Sequence, residues 1–267
     1  MTSLPMPSAG MAAIRWVRMG GSFPEVYSGM QRGMEEQTPN RVRPAPRPEA
    51  PRESLAQAAY AALKASLLEN LLPPGHEATE QAIADQLGMS RTPVHEAVLR
   101  LQHEGFLRVL SRRGVRVLPI DPVDLAETYD VLIALEGAAA ALLAGRGPAA
   151  SATVAGMAAA TEAMERARAA GDRKAWAAED DRFHRLLLQG SGNAKLARLA
   201  QTAADQAQRA RSATAALRAD PGVSAAEHGA ILAALRTGRA EAARAAVAAH
   251  RRRASEEILR VLGAVPA

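Results

Sequence analysis

The fold is decided by residues 72–117, which read LPPGHEATEQAIADQLGMSRTPVHEAVLRLQHEGFLRVLSRRGVRV. A first short helix is predicted over about 79–87, because Thr79 can accept a hydrogen bond from the first turn. Gly88 can then end this helix in the left-handed conformation that glycine adopts without strain. The signals predict a helix that ends in a tight turn.

A second helix is predicted from about residue 90 to 104, with Ser90 or Thr92 as its cap. Its apolar residues recur at helical spacing and mark a buried face: Val94, Ala97, Val98 and Leu101. Arg91, Thr92 and His95 then lie on the opposite surface near the helix start. Such a surface is where a recognition helix meets base edges and phosphates of DNA.

Gly105 closes the helix pair, and apolar residues then alternate with polar ones from Leu107 and again from Val115. This pattern predicts a two-stranded hairpin, and its connection contains Ser111, Arg112, Arg113 and Gly114. The helix pair alone is equally compatible with an ordinary helical hairpin. A basic hairpin directly after it favours a winged helix-turn-helix, a module that reads DNA.

Composition sets the limits for the rest of the chain. The 267 residues, 48% of them hydrophobic, allow two domains with their own cores. A net charge of +5 agrees with a polyanionic partner, although an arginine-rich genome would give the same charge. The absence of cysteine excludes disulfides and thiolate metal sites. No run approaches the roughly 20 apolar residues of a membrane span, which predicts a cytoplasmic protein without membrane contact.

The first part of the chain, residues 1–52, mixes Gly, Pro, Met and Ser without a sustained period and is predicted to be a disordered tail. Residues 41–48 form a basic, proline-rich linker. Met30 or Met34 could equally be the biological start. The predicted domain organisation is this tail, a winged helix-turn-helix domain over 53–119, and a second domain over 120–267.

The second domain contains no convincing strand and is predicted to be an all-α bundle, so the fold class is mainly α. Glycine and proline separate six helical blocks, namely 123–145, 149–170, 174–190, 194–219, 224–237 and 239–262. The many alanines favour helix and close helix contacts. Leucine, isoleucine, valine and methionine must then supply most of the packing.

Four residues of this bundle form a candidate metal site. Asp180 and His184 are four residues apart, so a helix points both the same way. His228 precedes Gly238 by ten residues and His250 follows it by twelve, which is about 15 and 18 Å along two helices. In an antiparallel hairpin these histidines meet at similar height. One carboxylate and three imidazoles suit zinc, which we favour, or manganese, nickel or iron.

Simpler interpretations of the same residues exist. Asp180 and His184 could be an ordinary polar pair along one helix, and a lone histidine in an alanine-rich helix is usually a surface or core residue. Asp181 lies on a neighbouring face and is expected to be solvated. A metal-dependent enzyme would need a general base, and the best available acid, Glu179, has a helical angle that points away from His184.

The N-terminal motif closely resembles the DNA-binding domain of GntR-family transcription regulators. The resemblance is carried by Leu72-Pro73-Pro74-Gly75, Leu87-Gly88-Met89-Ser90-Arg91-Thr92-Pro93-Val94-His95-Glu96-Ala97-Val98, Glu104-Gly105-Phe106-Leu107 and Arg112-Arg113-Gly114. It implies a DNA-contacting recognition helix and a wing that enters the minor groove. The candidate DNA-binding residues are Gln81, Ser90, Arg91, Thr92, His95, Arg112, Arg113 and Gly114. Gln81 and His95 stand where family members often have arginine, which changes how guanine can be read.

The second domain resembles the ligand-binding FCD domain of one GntR subgroup. The resemblance is carried by Asp180-Asp181-Arg182-Phe183-His184, Ser191-Gly192-Asn193, Glu227-His228 and His250. It implies a metal held by Asp180, His184, His228 and His250, with an effector, often a small organic acid, bound beside it. Tyr129-Asp130-Val131 and Leu135-Glu136-Gly137 resemble the first helix of this domain, with Leu132 where arginine is usual.

Together these features predict a homodimeric regulator, most simply a repressor, that binds a short inverted repeat in operator DNA. A small carboxylate effector near the metal would change its operator affinity, and no enzymatic activity is expected. The alternatives are an activator, a regulator for which the metal itself is the signal, a metal-dependent enzyme, and an architectural DNA-binding protein without an effector.

Overall fold

The computed structural model describes residues 55–110, 113–218 and 221–263. The predicted tail, with Met30 and Met34, and the wing residues Ser111 and Arg112 lie outside the described residues. The described residues form two compact units. The first contains residues 55–67 and Leu71–Leu118, and the second contains the described residues from Pro119 onward.

The first unit is a winged helix-turn-helix, as predicted. Its elements are α1 (Leu55–Leu68), β1 (Glu77–Ala78), α2 (Glu80–Leu87), α3 (Arg91–His103), β2 (Leu107–Leu110) and β3 (Gly114–Val117). Thr79 caps α2 by accepting a hydrogen bond from the Ala82 amide, and Gly88 ends it with φ of 64°. Ser90 precedes α3 without a side-chain hydrogen bond. The predicted inner face of α3 is buried: Val94, Ala97, Val98 and Leu101.

The wing has three strands where the sequence predicted two. The short strand β1 pairs antiparallel with β3, placing Ala78 opposite Val115. A strand of two residues is too short for alternation to reveal it. Gly114 has φ of 97°, and a Cβ there would lie 2.1 Å from the carbonyl oxygen of Ala78. Glycine is therefore required at this position for β3 to approach β1.

The second unit is the predicted all-α bundle, and its described residues contain no strand. Its helices are α4 (Pro122–Gly145), α5 (Ser151–Ala169), α6 (Arg173–Gly190), α7 (Ala194–Thr214), α8 (Gly222–Arg236) and α9 (Ala240–Val261). Short 3-10 helices follow α4 and α7, so α7 ends before the predicted residue 219. Asp121, Asp172 and Asn193 cap α4, α6 and α7 through side-chain oxygens.

Helix α4 is central and contacts each of α6, α7, α8 and α9. Small residues allow these close helix contacts, since Ala139 and Ala140 are fully buried. At Gly137 a Cβ would lie 3.3 Å from Cγ of Arg244, so glycine leaves room for that side chain. Within the described residues α4 is also long and apolar enough to cross a membrane by length and composition. Asp130 and Glu136 interrupt its apolar residues, so it contains no uninterrupted run of about 20 of them. Half of its most apolar window is buried inside the fold, as in the core helix of a helical bundle.

Candidate metal centre and nucleic-acid interface

The four predicted metal ligands come together in the second unit. Asp180 and His184 are one turn apart on α6, His228 lies on α8, and His250 lies on α9. All four are buried, and their candidate ligand atoms lie within 4.8 Å of one another. Three helices that are separate in sequence therefore place one carboxylate and three imidazoles around one point.

The distances fit a single cation. Nε2 of His250 lies 3.2 Å from Nε2 of His184 and 3.4 Å from Nε2 of His228. Two nitrogen ligands at about 2.1 Å from a metal are about 3.4 Å apart at the tetrahedral angle and about 3.0 Å apart at a right angle. Oδ1 of Asp180 lies somewhat farther away, 3.8 Å from His184 and 3.6 Å from His228. The donor set suits a divalent transition metal.

Neighbouring side chains orient the imidazoles. Nδ1 of His250 donates to Oε2 of Glu227 at 2.7 Å, which leaves Nε2 as the lone-pair atom directed at the cluster. Oε2 of Glu136 lies 3.2 Å from Nδ1 of His184 and favours the same tautomer there. The ring of His228 stacks on Phe183 with centroids 4.0 Å apart. All three rings are held before any ligand arrives.

The carboxylate of Glu136 is buried and paired with an arginine. Nε and Nη2 of Arg251 donate to its two oxygens at 2.7 and 2.5 Å. Burial by itself would raise the pKa of Glu136, but Arg251 and His184 outweigh it and hold that pKa below its ordinary value. Glu136 therefore stays ionised inside the bundle.

Asp180 is charged in the same way, while the imidazoles of His184 and His228 are neutral. Burial opposes ionisation of Asp180, but Arg211, with Nε 3.3 Å from Oδ2, and the histidines lower its pKa. Burial and the nearby Arg251 lower the pKa of His184 to about 4, and burial also lowers the pKa of His228. Ionised carboxylate and neutral imidazole are the forms that bind metal.

Sequence reasoning missed the groups that surround the ligands: Glu136, Arg211, Glu227, Arg251 and Arg253. A signal was available for Arg251, which occupies a position in the apolar stripe of α9 formed with Val247, Ala254 and Ile258. A charged residue at a core position requires a buried partner. The neighbouring acids Asp181 and Glu179 lie apart from the cluster, as expected. Asp181 pairs with Arg185, and Glu179 pairs with Arg182, on the outside of α6.

The candidate DNA-contacting residues of the first unit that the structure describes are mostly on its surface. Exposed side chains include Gln81, Ser90, Arg91, Thr92, His95 and Arg113, whereas Gly114 is partly buried. Arg112 lies outside the described residues. The start of α3 and the wing therefore both present polar groups.

Glu80 fixes two of these residues and was not identified from the sequence. Its buried carboxylate accepts from Nε of Arg91 at 3.0 Å and from Nδ1 of His95 at 2.8 Å. Burial alone would raise its pKa, but the hydrogen bonds from His95 and Arg91 lower it. The two donors therefore share one anchor at the start of α2.

The winged helix-turn-helix and the helical bundle with its Asp/His cluster define the class: a bacterial transcription regulator that binds DNA. The model of the bacterial regulatory proteins of the gntR family matches residues 55–117, and the FCD domain model matches residues 127–253. This chain belongs to the GntR family and carries an FCD domain.

Two curated relatives are informative. An HTH-type transcriptional regulator from the TAR-I ttuE-ttuC' intergenic region of Agrobacterium vitis is 48% identical over 132 residues, which cover 49% of this chain and 77% of that protein. A probable D-xylose utilization operon transcriptional repressor from Paenarthrobacter nicotinovorans is 36% identical over 132 residues, covering 49% of this chain and 57% of that protein. Both are regulators of transcription by name.

Solved structures share the fold. McbR/YncC of E. coli superposes with a TM-score of 0.70 at 23% identity, covering 78% of this chain and 98% of that one. A putative transcriptional regulator GntR from Rhodococcus sp. RHA1 gives a TM-score of 0.67 at 21% identity, covering 80% of this chain and all of that one. At these identities the likeness concerns the fold alone.

Proposed function

We propose that this regulator is a cytoplasmic, metal-dependent repressor whose operator affinity is set by a small organic acid. Residues 53–119 form the DNA-reading domain and residues 120–267 the effector-binding and dimerisation domain. The single observation that carries the proposal is the convergence of Asp180, His184, His228 and His250 on one point inside the second unit.

The cluster would hold zinc, or else manganese, nickel or iron. A bound divalent ion supplies a positive centre whose remaining coordination positions can accept an organic carboxylate. The chain's own residues keep the site ready, because Glu227 and Glu136 orient His250 and His184 and Arg211 holds Asp180 ionised. The two carboxylates beside the cluster, Glu136 and Glu227, are already paired with Arg251 and Arg253, which favours sensing over catalysis.

DNA recognition is assigned to the starts of α2 and α3 and to the wing. The proposed contacts are Gln81, Ser90, Arg91, Thr92, His95, Arg112, Arg113 and Gly114. Exposed cationic side chains at a helix start can reach phosphates and base edges in the major groove. Gly114 also has a structural reason to be glycine, its approach to Ala78. Its contribution to DNA binding would come through the wing backbone.

Two copies of the chain would bind the two halves of an inverted repeat. In such a dimer the partner copy would cover Val131 and Leu142, which are 11 residues apart on one face of α4 and remain 51% and 45% exposed. Repression agrees with the name of the Paenarthrobacter nicotinovorans relative, a probable transcriptional repressor. A shift between conformations of the dimer would couple effector and operator binding with a factor of about 5 to 150.

The decisive experiment titrates operator DNA with the full chain in four forms. The protein is either metal-free or zinc-loaded, and each of these is used without and with a panel of organic acids. The duplex is selected by the protein itself from a random pool, and binding is followed by fluorescence anisotropy. We expect an acid to change affinity only when zinc is present. A change with zinc alone would instead identify a metal sensor, and no change in any arm would identify an architectural DNA binder.

The ligand set is tested by His228→Ala, with His103→Ala as a matched control because His103 is exposed on α3. We expect His228→Ala to reduce bound zinc and zinc-dependent thermal stability together, since ligand binding to the folded state appears as stability. Unchanged zinc content would remove His228 from the ligand set. Consumption of an acid by the zinc-loaded protein would identify an enzyme.

A further inference from the structure

We propose that Tyr129, Arg211 and Arg251 form a second anion-binding position beside the Asp/His cluster, and that the effector is a small dicarboxylate. One carboxylate would sit at the cluster and the other at these three side chains. The inference rests on the proposed function, because the first carboxylate needs the metal site.

The first observation is a set of buried donors without acceptors. The hydroxyl of Tyr129, Nη1 of Arg211 and Nη1 of Arg251 are all buried and have no hydrogen-bond partner. The three residues are themselves 1%, 7% and 1% exposed. An unmatched buried polar group costs about 1–3 kcal/mol, and more when it is charged. An anion at this position would supply the missing acceptors.

The second observation is that these donors face a common region. Tyr129 and Glu136 are seven residues apart on α4, so they lie on one face of that helix, and Arg251 is bonded to Glu136. Tyr129 and Asp180 both lie within electrostatic range of Arg251. Arg211 approaches from α7, with Nε 3.3 Å from Asp180. Arg218 also lies within electrostatic range of Arg211, Tyr129 and Asp180, so the three donor residues share one neighbourhood next to the cluster.

The guanidinium groups are already fixed by other atoms. Arg251 uses Nε and Nη2 for Glu136, and Nε of Arg211 lies 3.3 Å from Asp180, while Nη1 of each group has no partner. A donor held in place before binding loses little side-chain entropy when the ligand arrives. This is the geometry of a prepared carboxylate site.

Charge balance favours a ligand with two negative charges. Four arginines and four carboxylates lie in and around the cluster: Arg211, Arg218, Arg251 and Arg253 with Glu136, Asp180, Glu227 and Glu257. These charges cancel, and an imidazole that binds a metal through its lone pair carries no charge. A bound divalent cation therefore leaves two uncompensated positive charges. A dicarboxylate removes both, whereas a monocarboxylate leaves one buried.

Isothermal titration calorimetry on the zinc-loaded full chain tests this directly. The probes are malonate, succinate and glutarate, each compared with its own monomethyl ester, which keeps the carbon chain and removes one charge. We expect at least one dicarboxylate to bind about 10-fold or more tightly than its ester. Equal affinities within every pair, or no binding by any diacid, would overturn the proposal.

Tyr129→Phe isolates the second position without touching the metal ligands. Because the hydroxyl has no partner, we expect the unliganded variant to be as stable as the wild type or more so. We expect zinc affinity to be unchanged and diacid affinity to fall by about 5-fold or more. Tyr60→Phe is the control, since its hydroxyl is bonded to Glu104 in the other unit and its loss should not affect the diacid.

The outcomes separate the two proposals. If zinc binds and each diacid binds no more tightly than its monomethyl ester, the second anion position is wrong and the metal site stands. If Tyr129→Phe binds the diacid as the wild type does, the assignment of Tyr129 is overturned while effector binding stands. If the wild type does not bind zinc, both proposals fail together.

Discussion

Glu227 on α8 accepts a hydrogen bond from Nδ1 of His250 on α9 at 2.7 Å, and Arg253 holds the same carboxylate at 2.6 and 2.8 Å. Glu136 likewise lies beside His184, with Oε2 3.2 Å from Nδ1 but without hydrogen-bond geometry, and Arg251 is the arginine that holds it. Helix α9 therefore supplies one histidine and the two arginines that lock both orienting carboxylates. The orientation of the side chains around the cluster therefore depends on α9.

Glu227→Gln should weaken zinc binding by about 10- to 100-fold, because the amide orients and polarises His250 less well than the carboxylate does. Competition titration with a chromophoric chelator measures this affinity. Glu241→Gln is the control, since Glu241 lies on α9 with an 82% exposed side chain and pairs only along its own helix with Arg244. Equal zinc affinity in the two variants would show that Glu227 does not position His250.

Glu136→Gln should lower the free energy of unfolding by about 3–5 kcal/mol, because it leaves the guanidinium of Arg251 buried without its counterion. Replacing Glu136 and Arg251 together by leucine should recover much of that loss, since no buried charge remains. Urea denaturation of the metal-free proteins measures both effects. A double variant no more stable than the single one would contradict this account.

Glu80→Gln should weaken operator binding even though it removes a negative charge from the DNA-facing unit. The reason is that Glu80 anchors Arg91 and His95, and loss of the carboxylate releases both. Glu96→Gln is the matched control, because Glu96 is exposed on α3. Electrostatics alone predicts that this variant binds the operator as tightly as the wild type or more tightly. Tighter binding by both variants would show that Glu80 acts only as a charge.

Arg91→Ala should reduce operator affinity and also reduce the slope of log affinity against log salt by about 1, if one phosphate contact is lost. The slope is obtained from anisotropy titrations at several salt concentrations. Arg236→Ala is a comparison of equal charge change, since Arg236 is exposed at the end of α8 in the other unit. An unchanged slope would argue against the assignment of α3 as the recognition helix.

Stability should fall as pH drops below about 6.5, in part through His76. Burial lowers the pKa of His76 to about 4, and the nearby Glu77 only partly opposes this. Between about pH 6.5 and pH 4 the unfolded chain binds a proton at His76 that the folded chain excludes. The free energy of unfolding therefore falls by about 2 kcal/mol from pH 7 to pH 5. His76→Gln should show a smaller loss over this range in chemical denaturation of the metal-free protein. Equal losses would exclude His76.

The local elements were predictable because their signals are local. Thr79 and Gly88 delimit α2, and the buried stripe of α3 follows from helical spacing. The strand β1 was missed because Glu77 and Ala78 become a strand only by pairing with β3. The metal ligands could be proposed because spacing along one helix and around one hairpin suffices to bring four residues near one point.

The sequence by itself determined a winged helix-turn-helix followed by an all-α domain, together with four ligand candidates, because caps, turns and periodicity act over a few residues. Only the tertiary structure decided which charges share the interior. Arg251 reaches Glu136 across 115 positions in the chain, and Arg211 reaches Asp180 from another helix. A long arginine can meet any acid within several ångströms, so its partner depends on helix packing that no local pattern encodes.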